Sequence, residues 1–314
     1  MPLLELKNIE ITFKTRRGIL TAVDDLSFAL EPGEILGLVG ESGAGKSITG
    51  SAIIGLIDHP GSLSKGEIWF DGKRIDQNAD QVRGKDISMV FQDPLTSLNP
   101  LKTVGDQLIE TILTHMPISR AEAVKRARKG LEEVGIDPER LNAYPHAFSG
   151  GMRQRVVVAL ALATDPKLII ADEPTTALDV SVQAQVLDLL KELCRSKGTS
   201  VILITHDMGV IAETTDRVAV LYAGRLAEIG STRDVLTNPQ HPYTQGLMAS
   251  TPSVDASSLD KELFQIPGSM PKLDALPSGC AFNPRCNQAF DKCRSARPDV
   301  QKDRAACWLL EEQA

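Results

Sequence analysis

The chain is poor in several things, and each shortage removes a class of function. Aromatic residues make up 4% of its 314 positions, too few for the stacking platforms that hold single-stranded nucleic acid. Positive charge is in the minority, with 34 Lys and Arg against 41 Asp and Glu and a net charge of −7. Such a balance repels a phosphate backbone, so no nucleic-acid partner is expected. The longest uninterrupted apolar run, residues 156–163, falls far short of the roughly 20 residues that span a bilayer. The first residues mix acids and apolars without a leader's hydrophobic stretch, and a cytosolic location is expected. Cysteine is scarce, five in all, which in a reducing compartment argues against a disulfide framework. Four of the five nevertheless crowd between Cys280 and Cys307.

What is present divides by texture. Residues 4–13 and 22–30 read as antiparallel strands joined around Arg16-Arg17-Gly18. Ile35-Leu36-Gly37-Leu38-Val39 suits a strand buried on both faces of a parallel sheet. Further strands are expected at 67–70, 87–91, 168–171, 201–204 and 217–221, and helices over 46–57, 103–134, 150–164 and 181–196. Strands alternating with helices imply an α/β fold with a parallel sheet covered on both faces. The helical stretch from about 95 to 164 reads as an inserted subdomain. Eight of the 18 prolines fall between Pro239 and Pro298, a density that breaks helices and ladders. The expected division is a domain over 1–250 and a small appended module over 251–314.

Chemistry concentrates at strand ends. Gly40-Glu41-Ser42-Gly43-Ala44-Gly45-Lys46-Ser47 follows a strand and opens a helix, the context of a phosphate-binding loop. Glycines 40, 43 and 45, with Ser42, let the backbone curl its N–H groups onto phosphate oxygens, helped by the helix N-terminus. Lys46 is expected on the β- and γ-phosphates and the Ser47 hydroxyl on Mg²⁺. The apolar run 168–171 ends in Asp172-Glu173, where Asp172 can hold the Mg²⁺ and Glu173 can act as general base. His206 follows another strand, and Gln92 a third, where its amide can meet both Mg²⁺ and the lytic water. Ser149-Gly150-Gly151 forms a second anion-binding helix start. One nucleotide seldom needs two cradles, so two such chains meeting head to tail, each closing on the other's ATP, is the reading that uses both.

Taken together, these motifs resemble the ATP-binding cassette (ABC) family over nearly all of residues 1–235. Residues 40–47 look like its Walker A, Gln92 its Q-loop, residues 148–152 its signature and 168–173 its Walker B. Ala177-Leu178-Asp179 looks like its D-loop and His206 like its switch histidine. The resemblance implies a P-loop NTPase cassette: a parallel-sheet core, an antiparallel β-subdomain and an inserted helical subdomain, with Phe13 stacking on adenine. Gln92-Asp93-Pro94-Leu95-Thr96-Ser97-Leu98-Asn99-Pro100, Tyr144-Pro145-His146, His241-Pro242-Tyr243-Thr244 and the cysteine-bearing tail are similar to peptide-importer ATPase subunits. That group implies cargo of dipeptides or oligopeptides, with nickel, opines or another small solute as alternatives. It also implies a second ATPase subunit, two transmembrane permease subunits and an external solute-binding protein, and a peripheral place on the cytoplasmic face of the inner membrane. The signature departs from Leu-Ser-Gly-Gly-Gln at both ends, Phe148 and Met152, and a Met-ended signature fits one member of a heterodimer. A soluble ABC protein of translation or DNA repair fits less well, since those carry two cassettes or a long coiled-coil insert.

Cys280, Cys286, Cys293 and Cys307 are separated by five, six and thirteen residues. These gaps are wider than common zinc or ferredoxin spacings, so they name no metal. Free thiols, disulfides, zinc and an iron–sulfur cluster compete, and a metal crosslink is a usual remedy for a module with little core. The resemblance to peptide-importer ATPases favours a 4Fe–4S cluster on these four cysteines. Cys194 is expected to pack inside a helix.

Overall fold

Partial alternation of burial along Leu4–Thr15 (β1) and Gly18–Leu30 (β2) lets them pair antiparallel, Leu4 opposite Leu30 and Thr15 opposite Gly18. The computed structural model describes residues 1–16, 18–175, 179–251, 265–301 and 304–311. After β2 the chain enters a second sheet through Ile35–Val39 (β3), all five residues buried, and turns into helix α1 (Lys46–Ile53). It returns to the first sheet as Gly61–Phe70 (β4) and Lys73–Arg74 (β5), giving the order β2-β1-β4-β5.

Ile87–Val90 (β6) reaches the edge of the second sheet. The helical insert follows as α2 (Pro94–Ser97), α3 (Val104–His115), α4 (Arg120–Glu133) and α5 (Gly150–Leu162). The one helix expected over 103–134 is two. Pro117 forces Met116 into an extended conformation, and Ser119 restarts the helix by accepting the Glu122 amide at 3.2 Å.

The chain then supplies Leu168–Asp172 (β7), α6 (Val180–Lys197), Ser200–Ile204 (β8), α7 (Met208–Thr214), Arg217–Tyr222 (β9) and Arg225–Ser231 (β10). The second sheet has the order β10-β9-β3-β8-β7-β6, parallel except for the β9–β10 hairpin. Sequence patterning does not announce β10, because its hairpin turns through Ala223 and Gly224, at φ 49° and 78°. Alanine is not a residue that signals such a turn. Three short helices, α8 (Thr232–Thr237), α9 (Pro242–Ala249) and α10 (Asp291–Ser295), complete the elements used below.

Among the described residues, buried side chains form three clusters. One joins the helical insert and α6 to one face of the second sheet through Val90, Ile169 and Val201. Another joins the first sheet to the opposite face through Leu38, Ile170 and Ile204. The third packs Val39, Val220 and Tyr222 against Tyr243, Ala281 and Phe282. The boundary expected near 250 is therefore crossed by a shared core. Residues near the end also cover the outer edge of β10: the Ile229 amide donates to the Arg304 carbonyl at 2.7 Å and the Ala306 amide to the Ala227 carbonyl at 2.9 Å. Among the described residues no helix is long and apolar enough to cross a membrane.

Candidate active site

Parallel order carries β3, β6, β7 and β8 in one direction, so the loops after them open on one side of the sheet. There they bound a cleft of about 720 Å³. Ser42, Gly43 and Gly45 line it from the loop after β3, Lys46, Ser47 and Ile48 from the start of α1, and Gln92, Glu173 and His206 from the loops after the other three strands. Gly40 must be glycine: its φ is 150°, and a Cβ there would lie 2.2 Å from the Leu221 carbonyl oxygen. Gly45, at φ 99°, hands the loop into α1.

Lys46 is 6% exposed and its Nζ donates to the carbonyls of Gly40 at 2.8 Å and Glu41 at 3.0 Å. Burial lowers its pKa, against the opposing pull of Glu173, Asp172 and Glu41. The Ser47 hydroxyl donates to Asp172 Oδ1 at 2.9 Å. Burial raises the Asp172 pKa and the Glu173 charge adds to it, while the Ser47 hydrogen bond and Lys46 act the other way.

Glu173 stands at φ 44°, a left-handed conformation that costs a non-glycine residue about 1–3 kcal/mol. Its amide is fixed by the Ile204 carbonyl at 2.8 Å. Gln92 Nε2 donates to its Oε2 at 3.0 Å, and His206 Nδ1 lies 3.3 Å from its Oε1. The residues expected to perform hydrolysis thus meet on one carboxylate.

Other expected residues lie elsewhere. Phe13 is not among the cleft's lining side chains; its ring packs where a Cβ on Gly61 would fall, and Ala22 of β2 lines the cleft instead. Ser149 and Gly150 are exposed and Gly151 half-buried at the start of α5, away from the cleft lining. Ser149 Oγ accepts the Met152 amide at 3.4 Å, and Phe148 is buried under the Arg140 guanidinium. Ala177 and Leu178 of the D-loop lie outside the described residues, and Asp179 stands at the N-cap position of α6. Leu273, from far along the chain, also lines the cleft; no local pattern marks it, because only the fold brings it there.

Cys280, Cys286, Cys293 and Cys307 come together around one small cavity with His241, Phe282 and Trp308. None of the five cysteines is in a disulfide. Burial pushes up the thiols of Cys280, Cys286 and Cys307, the last to about 11, and neighbouring cysteines add to the effect. Four thiols match the donor chemistry of either zinc or an iron–sulfur cluster. Their arrangement does not: among the described residues no three His, Cys, Asp or Glu side chains are grouped to hold one ion. Cys194 is buried in the helical cluster, its thiol raised by burial to about 12.

A model of the ABC transporter family matches residues 23–176, and one described as the oligopeptide/dipeptide transporter C-terminal region matches 227–293. The chain is 52% identical to the oligopeptide transport ATP-binding protein OppD of Bacillus subtilis, over 99% of this chain and 90% of that protein. It is 48% identical to the dipeptide transport ATP-binding protein DppD of the same organism, over 99% and 96%. A solved dimeric ATP-binding cassette, MJ0796, bound to ADP and Pi in a post-hydrolysis state, matches with a TM-score of 0.66 and 30% identity, over 73% of this chain and 99% of that one. Loop, strand ends, fold and full-length likeness agree, and the chain belongs to the ABC transporter family, among the ATP-binding proteins of oligopeptide and dipeptide transport.

Proposed function

We propose that the chain is the ATP-hydrolysing subunit of a membrane importer of short peptides. The observation that carries this reading is the Glu173 carboxylate, held by Gln92 and His206 in the same cleft as Lys46 and the Ser47–Asp172 pair. Lys46 and the loop amides would bind the phosphates of ATP. Ser47 and Asp172, with Gln92 near by, offer the hard oxygen donors that Mg²⁺ takes alongside substrate phosphates. Bound there, Mg²⁺ neutralises phosphate charge. Glu173 would accept the proton of the attacking water, while Gln92 and His206 hold its carboxylate in place.

Ser149, Gly150 and Gly151 stand outside their own chain's cleft, which supports a head-to-tail dimer in which they close on a second subunit's ATP. Met152 at the end of the signature supports a heterodimer with a different ATPase. An apolar groove of about 270 Å³ runs between β6 and α5, with Phe91 45% exposed beside it. It supports docking of a cytoplasmic helix from one of two permease subunits, the partner ATPase receiving the other. Closure of the ATPase pair would then move that helix and switch the pathway across the membrane. The chain would sit peripherally on the cytoplasmic face of the inner membrane, and an external solute-binding protein would select the cargo.

Assembly with the partner ATPase, permeases and binding protein in vesicles tests the whole reading. Uptake of labelled di- or oligopeptides that requires MgATP is the expected result. Uptake of a metal chelate or an opine with none of peptides would overturn the cargo and leave the ATPase. The shared lining of the four cysteines supports a 4Fe–4S cluster, or zinc in its place, by donor chemistry alone. Anaerobic purification should then give brown protein with about four irons per chain. Colourless protein with stoichiometric zinc would exchange the metal, and metal-free protein would remove the site.

A further inference from the structure

Glu41 is an awkward residue for a phosphate-binding loop, because its carboxylate repels the anion the loop must admit. Two residues from the far end of the chain hold it. The Tyr243 hydroxyl accepts the Glu41 amide at 2.9 Å. Arg285 Nη1 donates to both Glu41 carboxylate oxygens, at 2.9 and 3.1 Å, from a side chain only 7% exposed.

The same guanidinium ties together three parts of the molecule. Its Nη1 donates to the Tyr222 hydroxyl of β9 at 3.2 Å, and its Nε to the Pro267 carbonyl at 2.9 Å. It lies 5.9 Å from the ring centre of Phe282, inside the core shared with β9. The backbone it grips at Pro267 leads within a few residues to Met270 and Leu273. A Cβ on Gly43 would meet the Met270 methyl at 3.2 Å, and Leu273 lines the cleft.

We propose that Arg285 is a positioning residue for nucleotide binding: it neutralises Glu41 and holds both the phosphate loop and the cleft wall at Leu273 in the form that accepts MgATP. This rests on the ATPase reading above. Removing one partner of an ion pair leaves the other charge uncompensated, and here the charge left behind is a partly buried carboxylate, 29% exposed, next to the phosphate cradle. A loop that adopts its competent form less often binds proportionately more weakly.

The test measures MgATP affinity of the full-length chain by calorimetry and hydrolysis in the assembled complex. Arg285→Ala should weaken binding about tenfold, as for a loop competent one-tenth as often, and raise KM more than it lowers kcat. Arg285→Lys, which keeps the charge, should retain most of the affinity. Adding Glu41→Gln to Arg285→Ala should recover affinity, since the stranded carboxylate is gone. Arg285→Gln carries the same test if the alanine variant unfolds. Unchanged affinity on loss of the arginine's charge would overturn the proposal, as would a Glu41→Gln change that recovers nothing. Wild-type chain that fails to bind MgATP would overturn the ATPase reading and this inference with it.

Discussion

The cleft and the cysteine cavity both gather polar side chains, but by different means. In the cleft, Lys46, Asp172, Glu173 and His206 follow buried strands whose register is fixed along their length, Asp172 lying opposite Ile204. The cysteine cavity is assembled from turns: the Cys280 amide donates to the Cys293 carbonyl at 2.8 Å, a single 3₁₀ turn spans Asn283–Arg285, and α10 has five residues. A sheet sets angle and distance before any ligand arrives. Turns set proximity and leave the final geometry to whatever binds. That is why the carboxylate of Glu173 already has its partners while the four thiols merely share a lining.

The contrast can be broken most sharply at Glu173. Glu173→Gln keeps the shape and removes the proton acceptor, so turnover in the assembled complex should fall by about 10²–10⁴-fold while MgATP still binds. Normal turnover would mean that the strand-end geometry is incidental to the chemistry. At the other region, Phe282→Ala empties a position in the core shared with β9 and should cost about 3–5 kcal/mol, read by denaturant unfolding as one transition. A cassette of unchanged stability would make the tail a separate body.

Acid sharpens the comparison next. His241 is buried and neutral, its pKa lowered by burial from 6.5 to about 4. A base with a depressed folded pKa gives its full stability above pH 6.5 and loses it as pH falls toward 4, by roughly 3 kcal/mol. His241→Asn should flatten that part of the stability–pH curve. An identical curve for the two proteins would remove histidine from the account. The smallest effect belongs to Tyr243→Phe, which deletes the hydroxyl on the Glu41 amide and should cost about 1 kcal/mol in the same unfolding measurement. No change at all would mean that water replaces the hydroxyl at no cost.

Much of the cleft was legible in the sequence because its parts are contiguous: an apolar strand, a short glycine-rich loop and then Lys46 and Ser47, or an apolar strand ending in Asp172 and Glu173. The Ser149 cap was legible for the same reason. Where one residue decides a local conformation, the pattern misled. Pro117 divides a helical periodicity that runs through it, and Ala223 occupies a left-handed turn without advertising it. The Phe13 ring packs against Gly61. The contact least readable from sequence, Arg285 with Glu41, joins positions 244 residues apart. Nothing near either residue in the sequence names the other, and only the return of the tail across β9 makes them a pair.

The strip at 304–306 that lies along β10 carries none of the cleft's chemistry, yet it occupies the one side of that strand left open by the hairpin with β9. An open strand offers its amides and carbonyls to any other chain that presents a matching row. Polypeptides clipped ahead of residue 304, by a protease or a premature stop, would keep every group that handles nucleotide and lose the cover. Their failing would be social rather than catalytic: normal specific activity per dissolved molecule, in a population that thins as its members join edge to edge.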